Sequence, residues 1–327
     1  MQTIVDDLNK KIVGRRIIDV WSDWPKAIRQ SDGSLTHAGL TRTNAEKFRK
    51  TIKGKKILKI ERRAKNLLFY LSDDFLMLVH LKMTGHFLVG KWKVIKSKAR
   101  EVIVPVEPND VVGDPYNRFI HLLFYLDPIR SRSPRGSCST AFGRAASNGV
   151  DNGKMLALSD VRKFAKVILG KKDDIENLPE IKELGPEPLD KNFKFIKFIK
   201  LIKLEKRKIK QVLMDPKAIS GIGNIYSDEI LWLAKIHPFK PANKLSEKEL
   251  KDMWNAMHVI LKKALKLRGT SVSDYRDTGG KKGYYAEARL VYQREGEGCG
   301  RCGAKIVRVK IGGRSAHFCP VCQRLKS

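Results

Sequence analysis

Apolar positions recur along the chain with two different periods, and the change of period separates two regions. Apolar side chains at helical spacing in residues 1–12 predict a first helix. From Arg16 to Gly90, and again over 116–126 and 156–169, short alternating or wholly apolar runs predict strands instead. Several short strands of this kind predict a β-rich N-terminal domain over residues 1–170, folded as a β-sandwich.

The helical period returns after a charged, Pro-containing stretch at 171–190, which predicts an interdomain linker. A helical domain is expected over 191–297, and Ser246 with Glu249 has the spacing of a capping box at the start of a long helix. Strands followed by helices, rather than alternating with them, predict an α+β protein.

The tail, residues 298–327, contains two Cys-x-x-Cys pairs separated by sixteen residues. This spacing is typical of a closed structural site for one Zn²⁺, with no open position for a catalytic water. The alternative is a pair of disulfides in a secreted protein, but nothing at the N-terminus resembles a signal peptide. The residues between the pairs predict a two-stranded hairpin that turns at Gly312-Gly313 and presents Arg314. The expected metal ligands are Cys299, Cys302, Cys319 and Cys322.

Two segments show neither period. Residues 128–151 are rich in Ser, Arg and Gly and are predicted to be a loop insertion, because closing the chain across them leaves a normal hairpin turn. Cys138, within that insertion, is an unpaired thiol without an assigned role. Residues 270–285 are Gly-rich and polar and precede a strand predicted from Ala288 to Tyr292. A loop of this size can cover a ligand.

The net charge of the chain indicates which class of molecule it binds. Lys and Arg number 66 against 35 acidic residues, which gives a net charge of +31 and a pI near 10.0. An excess of this size predicts a polyanion as the partner, and nucleic acid is the leading candidate. No apolar run is long enough to span a bilayer, so no membrane partner is expected.

Single residues, taken one at a time, predict less about function than the charge does. A Gly-rich turn at Gly221-Ile-Gly-Asn224 leads into a helix, and a helix N-terminus is a ready phosphate site, although many enzymes turn a corner this way. Taken alone, Lys65 is one more solvated base, and Met83 and Phe164 are core residues.

Together the segments resemble one family, the formamidopyrimidine-DNA glycosylases, which are bacterial base-excision enzymes for oxidised purines. The resemblance covers nearly the whole chain except residues 128–151. It is carried by the segments Arg62-Arg-Ala-Lys65, His80-Leu-Lys-Met83-Thr-Gly, Asp160-Val-Arg162-Lys-Phe164, Gly185-Pro-Glu-Pro-Leu, Leu213-Met-Asp, Gly221-Ile-Gly-Asn224-Ile-Tyr-Ser-Asp-Glu and Gly312-Gly-Arg314-Ser-Ala-His-Phe-Cys-Pro-Val-Cys. It implies a helix–two-turns–helix motif in the helical domain and a zinc finger at the C-terminus.

The resemblance also implies an activity and roles. It implies a DNA repair glycosylase with lyase activity by β,δ-elimination, acting as a monomer on duplex DNA with oxidised bases or abasic sites, in the cytoplasm with the nucleoid. The loop at 270–285 then closes over an everted base. The space that the base leaves is filled by Met83, Arg162 and Phe164. The flanking phosphates are bound by Lys65, Lys210, Asn224 and Arg314, of which Lys65 and Arg314 belong to the catalytic set.

The chain departs from the family at its start. The family's nucleophile is an N-terminal proline followed by a general acid–base glutamate, whereas this chain begins Met1-Gln2-Thr3. The resemblance places Met1 about six residues, or roughly 9 Å of helix, too late. Either the start codon was assigned late, which we expect, or the chain is a lesion-binding protein without lyase chemistry.

Two further differences bear on the assignment. A histidine that the family often places two residues before His121 is Phe119 here, which weakens one phosphate contact. The sister endonuclease for oxidised pyrimidines shares the zinc finger and the helical motif. The set of Met83, Arg162 and Phe164 and the long Gly-rich loop favour the purine enzyme.

Overall fold

The fold is given by a computed structural model, which describes residues 1–30, 42–96, 101–107, 113–127, 153–269 and 276–325. The N-terminal region is the expected sandwich of two five-stranded sheets. Its helices are α1 (Gln2–Ile12) and α2 (Arg42–Ile52), and its strands are β1 (Ile17–Ser22), β2 (Ile28–Gln30), β3 (Ile57–Arg63), β4 (Asn66–Leu71), β5 (Phe75–His80), β6 (His86–Lys96), β7 (Glu101–Glu107), β8 (Ile120–Leu126), β9 (Met155–Ser159) and β10 (Lys166–Lys171).

One sheet has the strand order β1-β8-β9-β6-β7 and is antiparallel throughout. The other has the order β2-β10-β5-β4-β3 and is antiparallel except where β2 runs parallel to β10. The facing apolar side chains, with those of α1 and α2, form one buried core. Strands β8 and β9 pair directly across the predicted insertion at 128–151, which together with Cys138 lies outside the described residues.

The predicted strand at 116–126 is shorter than expected. Pro115–Arg118 form a 3₁₀ turn, and the Asp114 carboxylate caps it by accepting the N–H of Tyr116 at 2.9 Å. Because this turn takes up residues 115–118, the strand starts only at Ile120, in β8.

The stretch at 171–190 contains two short helices, α3 (Lys172–Glu176) and α4 (Pro179–Lys182). Ile175 and Ile181 lie buried against the outer face of the β4–β5–β10 sheet. This part of the expected linker therefore packs on the sandwich.

The helical region has its own core and the predicted capping box at Ser246 and Glu249. Its helices are α5 (Phe195–Leu204), α6 (Ile209–Met214), α7 (Asn224–Leu233), a 3₁₀ turn (Ala242–Lys244) and α8 (Glu247–Lys266). The C-terminal hairpin consists of β11 (Val307–Ile311) and β12 (Arg314–Phe318) and turns at Gly312-Gly313, as predicted. In the described part of the chain, no helix combines the length and apolar character needed to cross a bilayer.

The strand predicted from Ala288 to Tyr292 is wrong, because this segment forms turns. The buried carboxylate of Glu229, on α7, accepts the N–H groups of Leu290, Val291 and Tyr292 at 2.8–3.0 Å. Three consecutive backbone donors directed at one side chain cannot also form a sheet ladder.

Candidate nucleic-acid interface

Lys65 lies at the tip of the β3–β4 hairpin, where Arg63 pairs with Asn66 and Ala64 takes a positive φ of 55°. The Glu187 carboxylate holds this turn from outside. It accepts the N–H of Ala64 and forms an ion pair with Arg62 at 2.6 Å. The Lys65 side chain has no acidic partner among the described contacts.

The Lys65 ammonium lies against the start of α7. A Cβ atom at Gly223 would be only 3.1 Å from its Nζ atom. Asn224, the first residue of α7, donates its side-chain N–H to Ser315 Oγ at 3.3 Å, while its Oδ1 atom is buried without a partner. Backbone N–H groups at a helix start attract negative charge, so a cation here is unfavourable unless an anion joins it.

Arg314 brings a second cation to the same place from the zinc hairpin. Enclosure of the Lys65 ammonium lowers its pKa, and the charge of Arg314 lowers it further. The hairpin tip approaches α6 closely, because a Cβ atom at Gly312 would be 2.6 Å from Gln211 Nε2, at a φ of +53°. Only glycine fits there without displacing Gln211. Two cations and a helix N-terminus therefore converge, and no acidic side chain among the described residues offsets the charge of Lys65.

A cavity of about 710 Å³ opens beside this cluster, between the sandwich and the helical region. Its lining includes Lys65, His80, Asn224, Tyr226 and the start of α1. There Gln2 accepts a hydrogen bond from Arg62 Nε at 3.0 Å. Burial lowers the pKa of the Met1 α-amino group to about 5, and the charge of Arg62 contributes to the shift.

Met83, Arg162 and Phe164, which are expected to fill the space that the base leaves and which we call the wedge, form an exposed group on the sandwich. Met83 and Phe164 expose 65% and 52% of their surface, which is unusual for large apolar side chains that are predicted to be core residues in isolation. The Arg162 guanidinium lies over the Phe164 ring at 4.8 Å. Phe119 is also exposed, and its carbonyl accepts the N–H of Asp160 at 2.9 Å, so it lies next to this turn.

One buried residue supports the wedge. Asp160 has no exposed surface, and its carboxylate accepts the N–H groups of Phe164 and Ala165 at 2.8 and 2.7 Å. It also accepts the hydroxyl of Thr84, one residue after Met83. Asp160 therefore connects the turn that carries Met83 to the turn that carries Phe164.

Lys210 is not placed as the resemblance implies. Its side chain has no exposed surface, and its ammonium pairs with the Asp228 carboxylate inside the helical region. Burial is the main influence on its pKa and lowers it, against the Asp228 charge, which raises it. In this arrangement Lys210 cannot contact a phosphate directly and instead neutralises Asp228.

The four cysteine sulfurs form a compact cluster and lie within 4.8 Å of one another. Zn–S bonds of about 2.3 Å would place the sulfurs of a tetrahedron roughly 3.8 Å apart, so the cluster needs little adjustment to hold Zn²⁺. Burial raises the pKa of the Cys299 thiol, but hydrogen bonds from the Arg301 backbone and the Trp232 indole outweigh it and bring the pKa to about 6. A thiolate is the form that binds zinc.

The Gly-rich loop at 270–285 is described only from residue 276 onwards, where it is fixed to the sandwich, and residues 270–275 lie outside the described residues. The Arg276 guanidinium is buried, pairs with Asp114 at 2.6 Å and lies over Tyr116. Thr278 accepts a hydrogen bond from Lys11 at 2.8 Å. The loop is therefore anchored to the sandwich from Arg276 onwards.

Family models cover three parts of the chain. They are the formamidopyrimidine-DNA glycosylase N-terminal domain over residues 1–167, the formamidopyrimidine-DNA glycosylase H2TH domain over 184–276, and the zinc finger found in FPG and IleRS over 296–325. The chain belongs to the formamidopyrimidine-DNA glycosylase family. The expected α+β fold and one structural Zn²⁺ are confirmed by this membership and by the cysteine cluster.

Relatives match over almost the full length. The formamidopyrimidine-DNA glycosylase of Pelotomaculum thermopropionicum is 34% identical over 326 residues, covering 100% of this chain and 98% of the relative. A solved structure of Lactococcus lactis Fpg with DNA containing an abasic site has a TM-score of 0.75 at 31% identity, covering 99% of this chain and 98% of that one. Another, of L. lactis Fpg with Fapy-dG DNA, has a TM-score of 0.74 at 31% identity, with the same coverage.

Four residues of this glycosylase-family site escaped sequence reasoning as functional positions. Glu187, Asp228 and His80 stand inside motifs that carry the resemblance, but nothing local assigns them a role. Glu187 holds the Lys65 turn, Asp228 pairs with Lys210, and His80 lines the cavity. Trp232 gave no signal, because its contact with Cys299 joins residues 67 positions apart.

Proposed function

We propose that this protein is a DNA repair glycosylase that excises oxidised purines, 8-oxoguanine and formamidopyrimidines, from duplex DNA and belongs to the group with lyase activity. The observation that carries the proposal is the anion site formed by Lys65, Arg314 and the N-terminus of α7. Lys65 and Asn224 line the cavity, and so do Leu81 and Lys82, which directly precede Met83 of the exposed wedge.

The anion site suits DNA phosphates. Lys65 and Arg314 supply cations, and the start of α7 supplies free backbone N–H groups, while no described acidic side chain neutralises the pair. The excess of basic residues adds long-range attraction for DNA. The site therefore grips the backbone on either side of one nucleotide.

The wedge suits an unstacked base step. Taking a base out of a duplex costs a few kcal/mol, which proteins offset by inserting apolar side chains and arginines into the gap. Met83, Arg162 and Phe164 are exposed, adjacent and held from beneath by Asp160. The cavity is large enough for a purine, since pockets for ligands of that size span about 300–1,000 Å³.

The loop at 270–285 would close over the everted base. Its described end, at Arg276 to Thr278, is anchored to the sandwich, and its start follows Arg268 at the end of α8. Closure between two fixed ends would exclude water from the cavity. We also propose that the protein acts as a monomer and is associated with the nucleoid.

In this proposal the described residues bind the DNA phosphates, hold the base out of the duplex and enclose it. The family's amine nucleophile and its neighbouring glutamate have no counterparts among Met1, Gln2 and Thr3. The lyase step is therefore tested with two forms of the protein, this chain and the same chain preceded by a leader of about six residues that begins Pro-Glu. Each is incubated with a duplex containing 8-oxoguanine and treated with borohydride.

The leader form should give a covalent adduct and a strand cut with phosphate at both ends. Arg314→Ala in that form should weaken binding and leave β-elimination product only, because the cation at the phosphate is gone, with zinc content unchanged. Arg308→Ala, on the other strand of the hairpin, is the matched control and should cleave normally. Equal affinity of both forms for intact and oxidised duplexes would contradict the proposed function.

A further inference from the structure

Helix α7 is fastened to the zinc hairpin at three levels. Asn224, Asp228 and Trp232 stand four residues apart, so they lie on one face of the helix. Asn224 binds Ser315 Oγ, Asp228 accepts the N–H of His317 at 2.9 Å, and the Trp232 indole N–H points at the metal cluster. Ser315 and His317 are two apart on β12 and so share the face that meets the helix.

The third level reaches a metal ligand directly. Trp232 Nε1 lies 3.4 Å from Cys299 Sγ, a normal distance for a hydrogen bond to sulfur, and Trp232 is only 6% exposed. Both residues belong to one buried cluster with Ile306 and Cys319. The indole N–H has no other partner among the described contacts, so losing this bond would leave a buried donor unsatisfied.

Arg301 fixes the indole in place. Its guanidinium lies 3.8 Å from the centre of the Trp232 ring and donates to the carbonyls of Trp232 and Leu233 at 2.5 and 2.9 Å. Those carbonyls stand at the C-terminal end of α7, where the Trp232 carbonyl also accepts the N–H of Lys235 at 3.1 Å. Arg301 stands between Cys299 and Cys302 in the chain, so one side chain joins the metal-binding turn to both the helix end and the indole.

We propose that Trp232 is a positioning residue of the zinc site. Its indole N–H orients the Cys299 sulfur towards the metal and connects the zinc-binding segment to α7. A hydrogen bond to a thiolate disperses its charge and restricts its movement. Groups that orient a ligand in this way contribute about 10- to 100-fold in metal affinity. The inference depends on zinc binding and is independent of the proposed action on DNA.

The first test measures zinc release from the full-length zinc-loaded protein to an excess of the chromogenic chelator 4-(2-pyridylazo)resorcinol. Trp232→Phe keeps a ring for Arg301 and loses only the N–H donor and some volume. It should release zinc about 10- to 100-fold faster than the parent. Trp254→Phe, within the aromatic cluster of the helical region, is the matched control and should release zinc at the parent rate.

The second test separates the hydrogen bond from simple packing. With Co²⁺ in place of zinc, the sulfur-to-cobalt charge-transfer band should move to longer wavelength in Trp232→Phe, because a sulfur without a donor gives up electron density more easily. Packing defects alone would not move that band. A release rate and a band both equal to those of Trp254→Phe would overturn the proposal.

A third measurement needs no variant and so does not depend on folding of Trp232→Phe. In parent protein loaded with ¹¹³Cd, the indole proton of Trp232 should show a scalar coupling to the metal, transmitted through the Cys299 sulfur. A resolved indole signal without that coupling would also overturn the proposal.

Discussion

The turn that carries the wedge and the C-terminal hairpin both present exposed side chains, and each is organised by one buried aspartate. Asp160, under the wedge, accepts the N–H groups of Phe164 and Ala165 and a hydroxyl, all of them neutral donors. Asp228, behind the hairpin, is paired with the Lys210 ammonium and with the backbone and ring of His317.

The difference lies in what each carboxylate joins. Asp160 ties together two turns of a single domain, so it shapes the wedge locally. Asp228 connects α6, α7 and β12, and its charge is balanced by a lysine from another helix. A buried ion pair of this kind is costly to break from one side, because the remaining charge has no water and no partner. The hairpin should therefore be the more fragile of the two.

The largest effect should follow from removing the metal. Cys302→Ser should lower zinc content well below one per chain and unfold residues 298–325, because zinc-finger peptides gain about 10–16 kcal/mol from the metal. Metal analysis and backbone NMR of the tail measure this. Ser315→Ala, which keeps all four ligands, is the control. A folded hairpin in zinc-free Cys302→Ser would show that α7 alone supports it.

The next effect tests the charged support. Asp228→Asn should reduce the free energy of unfolding by about 3–5 kcal/mol, because it leaves the Lys210 ammonium buried without a counter-ion. Denaturant titration measures this loss. Asp252→Asn removes a carboxylate from an exposed pair with Lys248 and should cost less than about 1 kcal/mol. Equal losses would remove the distinction between the two pairs.

The neutral support should be less sensitive. Asp160→Asn keeps the shape of the side chain but turns a donor group towards backbone donors, which should cost about 1–3 kcal/mol. The same denaturant titration applies. A loss as large as that of Asp228→Asn would contradict the comparison, since it would show that the wedge depends on charge as much as the hairpin does.

The sequence predicted features that depend on near neighbours. The hairpin turn at Gly312-Gly313, the capping box at Ser246 and the zinc ligands each follow from residues close in the chain. Contacts between distant residues were not predictable in this way. Glu229 converts a predicted strand into turns from 61 residues away, and Asp228 turns Lys210 from an expected DNA ligand into a buried counter-ion.

The candidate site shows the same contrast between features set by neighbouring residues and contacts between distant ones. Lys65, Asn224 and Arg314 were recognised through motifs, and the structure brings the charges of Lys65 and Arg314 together at the start of α7. What holds them there was missed. Glu187, in the Gly-Pro-Glu-Pro stretch, is 123 residues from the backbone N–H of Ala64 that it binds. No local pattern predicts such a pairing.

The smallest effect concerns His80, which ends β5 three residues before Met83 of the wedge and lines the cavity beside Lys65. Burial, with the charges of Lys82 and Lys65, lowers its pKa from 6.5 to about 4. Its Nδ1 atom accepts the N–H of Lys82 at 3.0 Å, which the neutral ring can do and the protonated ring cannot. Between these two pKa values the unfolded chain binds a proton that the folded chain refuses, so stability falls as the pH drops from about 6.5 towards 4.

His80→Gln should therefore flatten the acid side of the stability profile, measured by thermal unfolding between pH 7 and pH 4.5. His258→Gln, on α8 outside the cavity lining, is the matched control and should keep the parent slope. An unchanged slope in His80→Gln would mean that the imidazole accepts its proton in the folded state. The cavity would then hold a protonated His80 beside Lys65 and Arg314. The two cations would therefore require a bound anion less than their proximity indicates.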